Sequence, residues 1–182
     1  MSLVLKNNLG ETHNGNLFQE NMLTKKVTIN ISKLRQNIKI LLEQYLNKNY
    51  TGKCFEEGYI EKNSVKVVSF TNGLCVSESL EFHVVFTCNI CLVVDSMILE
   101  CVVENKNLSG IKCKIAITED EENESNKKSE SLVIFCTRDH NNNNEDFNSI
   151  ALNEKILVKV IGSKYELFDE YICVIGKFIK KT

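Results

Sequence analysis

With 182 residues, the chain is long enough for one large domain or two small ones. Its 43% hydrophobic and 25% charged residues are typical of a globular protein, and the formal net charge of −2 excludes a strongly basic nucleic-acid-binding module. No apolar run approaches the roughly 18 residues of a membrane span, so we expect no contact with a membrane.

The chain contains eight cysteines, and most of them lie inside apolar, strand-like runs. A buried thiol in such a run behaves as a small hydrophobic side chain. The N-terminal residues lack the apolar core of a secretory signal. We therefore expect an intracellular, reducing compartment and free thiols rather than a disulfide framework.

The first elements predicted along the chain are a strand and a helix. Residues 1–24 show no sustained period and are predicted to be a flexible extension. Residues 25–31 alternate as a half-buried strand, and Ser32 is the predicted N-cap of a helix. The apolar residues that share one face of this helix over about four turns are Leu34, Ile38, Leu41, Leu42, Tyr45 and Leu46.

Beyond Gly52 the spacing of hydrophobic residues falls to a period of two residues, which predicts strands. The predicted strands are 52–62, 64–70, 81–87, 92–103, 110–117, 131–136, 155–161 and 171–178. The acidic stretch 118–128 and the Asn-rich stretch 139–146 are predicted surface loops. The pattern predicts an α+β, mostly β chain in which a strand–helix–strands domain (25–87) precedes a five-stranded OB-fold barrel (88–182). The alternative is a single α+β domain with one antiparallel sheet.

Several short motifs, taken in order, resemble a known family. They are Gly52-Lys53-Cys54, Gly58-Tyr59-Ile60, Val84-Val85-Phe86 with Val93-Val94-Asp95, residues 108–115, 133–140, 155–162 and 171–178. This order resembles the stalk subunit of multisubunit DNA-dependent RNA polymerases, the seventh-subunit family. The resemblance covers residues 25–180. The chain departs from the family in its two cysteines between the domains, a shortened first connection and an OB domain that is not basic.

The resemblance implies a non-catalytic subunit that works in transcription. Its N-terminal tip domain would dock on the large polymerase subunits near the RNA exit and clamp, through exposed residues near Gly52, Gly58, Tyr59, Glu61 and Lys62. The OB domain would meet nascent RNA weakly, or initiation factors. Cellular members also pair with a smaller fourth subunit, and the sequence leaves open whether this chain does. No cofactor is implied.

The absence of proline and the excess of Lys over Arg indicate an AT-rich genome, such as that of a large DNA virus or a protist. The resemblance therefore implies a divergent viral version of the subunit, located in the virion and host cytoplasm; a cellular version would be nuclear. The alternative function is a free-standing OB-fold protein that binds single-stranded nucleic acid.

Five cations are the predicted RNA-binding residues. Lys112 and Lys114 alternate with apolar residues and therefore leave the same face of one strand. OB folds bind single strands with cations along the backbone and aromatic rings on the bases. Lys106, Arg138 and Lys159 would extend this patch, and Tyr165 or Phe168 would stack on bases. The alternative is a solvated strand face.

No motif predicts catalysis or a metal site. The glycines near residue 52 lack the order of a phosphate-binding loop. Cys88 and Cys91 form one CxxC without a second pair, so packing at the domain junction is favoured over a zinc site or a redox dithiol. No nucleophile and acid flank His13, His83 or His140, and His83 is predicted to face away from Val84.

Overall fold

A computed structural model of the chain describes residues 17–34, 37–116, 131–141 and 145–182. Six strands come first: β1 (Phe18–Asn30), β2 (Lys53–Phe55), β3 (Gly58–Ile60), β4 (Lys66–Phe70), β5 (Leu74–Val76) and β6 (Ser79–Cys91). A 3-10 turn (Ile31–Lys33) and helix α1 (Ile38–Tyr50) separate β1 from β2. The later elements are β7 (Ile98–Lys106), β8 (Gly110–Ile115), β9 (Leu132–Thr137), the short helix α2 (Glu145–Asn148), β10 (Lys155–Lys164) and β11 (Ile172–Lys181).

The N-terminal sheet, formed by β1 to β6, is built around the long strand β6. On one side β6 pairs antiparallel with β1 over its full length, from Phe18–Cys91 to Asn30–Ser79. On the other side it pairs in turn with β5, β4 and β3, and β2 extends the sheet from β3. Residues Phe82, Val84 and Phe86 of β6 point to the same face and are buried, where Leu42 and Leu46 of α1 contribute to the same core. His83 is exposed between them, as predicted.

The first helix begins later than the sequence predicted. The Asn37 side chain accepts a hydrogen bond from the backbone N–H of Lys39 at 3.0 Å and is the N-cap. The predicted N-cap, Ser32, is wrong, because this residue lies in the 3-10 turn that Asn30 caps. The predicted helical face is correct from Ile38 onward, and Tyr45 at its margin is 37% exposed. Leu34 lies outside the helix, at the end of the 3-10 turn, so its place on that face is wrong.

Two predicted boundaries also change. Residues 18–24 belong to β1 and not to a flexible extension, while residues 1–16 lie outside the described part of the chain. The expected division at residue 87 falls within β6, and the later strands begin at β7. The predicted strand 92–103 is wrong over residues 92–97, because Ser96 adopts a φ of 71° and the chain turns there.

The two expected loops are only partly described. Residues 118–128 lie outside the described residues, as do residues 142–144 of the second loop. Within the second loop, residues 139–141 form a turn. Glu145 and Asp146 begin α2, so the prediction of a continuous loop over 139–146 is wrong at its end.

The strands β7 to β11 form a closed barrel in the order β7–β8–β9–β11–β10, with β10 returning to β7. All neighbours are antiparallel except β9 and β11, which are parallel. The side chains that fill the interior alternate along each strand, as Leu99, Cys101 and Val103 do on β7. The chain is therefore mostly β with a closed five-stranded barrel, consistent with an OB-like barrel. The alternative of one antiparallel sheet is wrong.

The N-terminal sheet and the barrel share a hydrophobic core. Cys54, Tyr59 and Cys91 of the sheet are all at most 1% exposed and belong to the same buried cluster as the barrel interior. Two backbone hydrogen bonds join β2 to the loop between β10 and β11, from Cys54 N to Asp169 O and from Phe168 N to Cys54 O, both at 2.8 Å. These contacts fix the sheet against one end of the barrel.

Candidate nucleic-acid interface

The outer surface of β8 and β9, here called the β8–β9 face, carries cations beside apolar side chains. Along β8, Ile111, Cys113 and Ile115 are buried in the barrel, so Lys112 and Lys114 point outward. This confirms that the two lysines leave the same face of one strand. On β9, the outward residues Val133 and Phe135 are half-buried, and Phe135 lies directly opposite Lys112.

The loop between β10 and β11, residues 165–171, rises beside this face. Phe168 is 61% exposed and its ring contacts that of Phe55 edge-on, with centroids 5.5 Å apart. Tyr165 Oη donates a hydrogen bond to Glu56 O at 3.4 Å. A cleft of about 490 Å³, the aromatic cleft, is lined by four rings and the polar residues of the loop. The rings belong to Phe135, Tyr165, Phe168 and Tyr171.

A second cleft, the lysine cleft, adjoins the first across Tyr171 and has a volume of about 550 Å³. Lys112 and Lys114 line it from β8, and Tyr171 lines it from the β10–β11 loop. Cations next to exposed aromatic rings are the combination by which proteins hold the backbone and bases of a single strand. In OB folds, the face of the second and third strands and the loops at its ends bind oligonucleotides, and here those strands are β8 and β9.

A carboxylate competes for these cations. Lys112 Nζ lies 2.7 Å from Glu104 Oε2, and both side chains are about half exposed. The hydrogen bond from Lys112, together with the charges of Lys112 and Lys114, lowers the pKa of Glu104 below its usual value. Glu104 is therefore ionised at neutral pH and offsets part of the positive charge of the face.

We expect Glu104→Gln to strengthen binding of single-stranded RNA by about threefold, because Lys112 would be released to contact phosphate. Fluorescence anisotropy with a labelled oligouridylate at low salt measures this effect. Glu154→Gln is the matched control, because Glu154 pairs with Lys181 on the far side of the barrel. Equal affinities of wild type and Glu104→Gln would contradict the assignment of Lys112 to phosphate.

The other three predicted RNA-binding cations lie apart from the β8–β9 face. Lys106 donates hydrogen bonds to the backbone oxygens of Asn148 and Ile150, at 2.8 and 2.9 Å, and so holds the end of α2. Lys159 is exposed on β10 between β7 and β11, opposite Lys177. Arg138 follows β9 beside the β7–β8 loop, where its backbone N–H bonds to Ser109 O. The structure therefore brings together only Lys112 and Lys114 of the five.

The residues predicted to dock on a polymerase are not all exposed. Gly58 and Tyr59 are buried at the junction with the barrel, so the prediction that they are exposed is wrong. Gly58 has no room for a side chain, because a Cβ would lie 2.7 Å from Cys91 O. Glu61 accepts a hydrogen bond from the Asn89 amide at 2.7 Å.

The remaining two of those residues stay accessible. Gly52 is half-buried and Lys62 is exposed, and both line the lysine cleft. Their contact with a polymerase stays a prediction.

Cys88 and Cys91 both pack in hydrophobic cores but on opposite faces of β6. Cys88 belongs to the core beneath α1 and Cys91 to the core shared with the barrel. Burial raises the pKa of Cys88 to about 11 and that of Cys91 to about 12, so both thiols are protonated at neutral pH. Since the two side chains diverge, they cannot bind one metal ion together.

Among the residues that the structure describes, no group of three or more His, Cys, Asp and Glu side chains is placed to hold a metal ion. His83 is solvent-exposed, and the His140 Nδ1 atom lies 2.6 Å from Thr137 Oγ1. No described helix is both long and apolar enough to cross a membrane.

The sequence reasoning missed Phe135, Tyr171 and Glu104. The alternation of residues 131–136 was a sufficient signal for Phe135, because it places this ring on the same outer face as Val133. No local signal marks Tyr171 or Glu104, because their positions depend on the β10–β11 loop and on a bulge in β7 after Val103. In comparisons with known proteins, no family model matches the chain and no curated protein matches its sequence.

Proposed function

We propose that this chain is a non-catalytic stalk subunit of a multisubunit DNA-directed RNA polymerase, of the seventh-subunit type. The observation that carries the proposal is the order of the two parts: a sheet with one covering helix precedes a closed five-stranded barrel, and Cys54, Tyr59 and Cys91 of the sheet join the barrel core. Most of the ordered motifs of the resemblance fall within these elements, whereas Val93-Val94-Asp95 lies in the connection between β6 and β7. Their agreement in order supports one family over an unrelated pair of β structures.

The barrel would contact emerging RNA through the β8–β9 face and the aromatic cleft. Glu104, Glu166, Asp169 and Glu170 surround the lysines and rings, so the free barrel would bind RNA weakly and in a salt-dependent way. Attachment to a polymerase raises the effective concentration of the transcript at this face, which makes a weak contact sufficient.

The N-terminal sheet would carry the contact with the large polymerase subunits. A divergent viral polymerase fits the absence of proline and the excess of Lys over Arg in the chain. The end of the sheet far from the barrel exposes apolar side chains on β4 and β5, including Val68 at 54% and Leu74 at 64%. Phe70 and Val76 are also exposed, but Phe70 lies opposite Val84 on the helix-covered face, whereas Leu74 and Val76 lie opposite Glu81 and Ser79 on the outer face. Several exposed large apolar side chains at one end of a sheet are typical of an edge that another protein covers. It replaces Gly58 and Tyr59 as the proposed docking surface.

Co-purification from the cells that express the chain tests the proposal. A tagged copy is expected to recover the large polymerase subunits, and a smaller fourth subunit where one exists. Val68→Asp with Leu74→Asp is expected to abolish this recovery. Leu108→Asp with Leu152→Asp, which changes side chains 86% and 59% exposed on the barrel, is the matched control. A wild-type chain recovered without any polymerase subunit would refute the stalk proposal.

The second candidate function is a free-standing protein that binds single-stranded nucleic acid. The observation in its favour is that the β8–β9 face and the aromatic cleft lie wholly on the barrel and need no polymerase. Recovery of the tagged chain alone, together with tight RNA binding by the isolated protein, would support this function.

A further inference from the structure

The lysine cleft is built from both parts of the molecule. Gly52 and Lys62 of the N-terminal sheet line one wall, while Lys112, Lys114 and Glu104 of the barrel line the other, with Tyr171 at one end. The cleft therefore lies across the junction and is not confined to the barrel. Lys62, which the resemblance also placed at a polymerase contact, lines the same cleft as the two lysines of β8.

The position of Lys62 depends on Gly52. The chain leaves β3 after Ile60, and the Gly52 N–H donates a hydrogen bond to Ile60 O at 2.8 Å, which brings Gly52 beside the turn that carries Lys62. Gly52 has a φ of +74°, and a Cβ there would lie 3.0 Å from Lys62 Cγ and 3.1 Å from Lys62 Cε. The missing side chain thus leaves room for the aliphatic part of Lys62 to lie across the backbone.

The two walls of the cleft are held in a fixed relation. The backbone hydrogen bonds that join Cys54 to Phe168 and Asp169 hold the middle of the β10–β11 loop. Tyr59 packs into the shared core on β3, which ends at Ile60 just before the Lys62 turn. A site assembled from rigid elements keeps its charges in place before the ligand arrives, which reduces the cost of ordering them on binding.

The charges of the cleft favour a phosphodiester ligand. Three lysines line it against two carboxylates, Glu104 and Glu170, and Glu104 is already engaged by Lys112. Tyr171 is 46% exposed between this cleft and the aromatic cleft, so its ring can stack on a base whose phosphates face the lysines. A single strand that follows the β8–β9 face therefore meets Lys62 where it crosses the junction.

We infer that Lys62 is a nucleic-acid-binding residue and that the path of a single RNA strand continues from the barrel across the lysine cleft onto the N-terminal sheet. The inference rests on the nucleic-acid contact in the proposed function and adds a residue and a direction to it. It does not depend on attachment to a polymerase.

Fluorescence anisotropy tests the inference with the isolated full chain and a labelled oligouridylate. A length of about 12 nucleotides lies within the span of an OB-fold site. Lys62→Gln is expected to weaken binding about threefold near 50 mM salt. It should also reduce the slope of log Kobs against log salt by about 0.7, the contribution of one phosphate on a single strand. Lys66→Gln, an exposed lysine on β4 of the same sheet, is the matched control and should leave both values unchanged. Circular dichroism of each variant checks the fold.

Two further measurements decide between the possible failures. If Lys62→Gln binds the oligouridylate as tightly as the wild type while Lys112→Gln binds it more weakly, this inference is overturned. The nucleic-acid contact of the barrel would then remain in place. Uridine monophosphate is added as a competitor of the labelled oligouridylate. If it displaces the oligouridylate, the inference is also overturned, because the cleft would then hold a mononucleotide and not a continuous strand. No oligouridylate binding by the wild-type chain would overturn both this inference and the RNA contact, while co-purification would still decide the stalk proposal.

Discussion

Replacing Tyr59 by alanine is expected to destabilise the whole molecule by about 3–5 kcal/mol, the usual cost of removing a buried aromatic side chain. Tyr59 is 1% exposed and lies in the core that the N-terminal sheet shares with the barrel. The cavity would therefore weaken both parts together. Urea unfolding, followed by circular dichroism, measures the loss in the free energy of unfolding.

The form of the transition matters as much as its midpoint. Because the two parts share a core, the wild-type chain should unfold in one cooperative transition. Tyr45→Ala is the control, since this tyrosine is 37% exposed on α1 and its removal should cost less than about 1 kcal/mol. Two separate wild-type transitions, or a loss for Tyr59→Ala no larger than for Tyr45→Ala, would show that the parts fold independently.

Reversing both charges of the β8–β9 face is expected to cause the largest loss of RNA binding. In Lys112→Glu with Lys114→Glu, two phosphate contacts are lost, so the salt slope should fall by about 1.4 and the affinity at low salt by about tenfold or more. Both side chains point into solvent, so the fold should survive. Anisotropy with an oligouridylate measures affinity, and RNA crosslinking measures the same contact in the intact polymerase.

Lys159→Glu with Lys177→Glu carries the same change of charge and is the matched control. These two exposed lysines face each other on β10 and β11, away from the lysine cleft. Their reversal should reduce binding only through the general electrostatic field. An equal loss in both double variants would show that binding is non-specific, and a larger loss in the control would restore Lys159 to the RNA site.

Much of the fold could be predicted from alternation alone. The five strands of the barrel were expected near their observed positions along the chain, because burial on one face forces a period of two that is visible in residues such as Ile111 and Cys113. Many errors fall at element ends, but the predicted strand 52–62 is wrong in kind, because a turn at residues 56–57 makes it the β2–β3 hairpin, and β5 was not predicted. Ser32 and Asn37 are both acceptable caps in isolation, but Ser32 lies in a 3-10 turn capped by Asn30, and the helix starts only after Asn37.

The candidate site was less predictable than the fold. Spacing shows which face of a strand a lysine leaves, and it was correct for Lys112 and Lys114. It does not show which strands become neighbours, so Lys159 was grouped with a face from which the closed barrel separates it. Lys106 lies on the neighbouring strand β7, but its amine is held by backbone oxygens at the end of α2. Likewise, the sequence predicts Tyr59 as an exposed strand residue, because it does not show that the barrel covers this side chain.

The pairing of β1 with β6 has a consequence for how the chain folds. Its nearest partners, Asn30 and Ser79, are separated in sequence by α1 and the strands β2 to β5, and its farthest, Phe18 and Cys91, lie beyond them. The β2–β3 hairpin and α1 are local and can form within microseconds, whereas β1 must find β6 across this whole intervening segment. The entropy of closing that loop, and not the speed of any single element, therefore limits the rate at which the N-terminal sheet assembles.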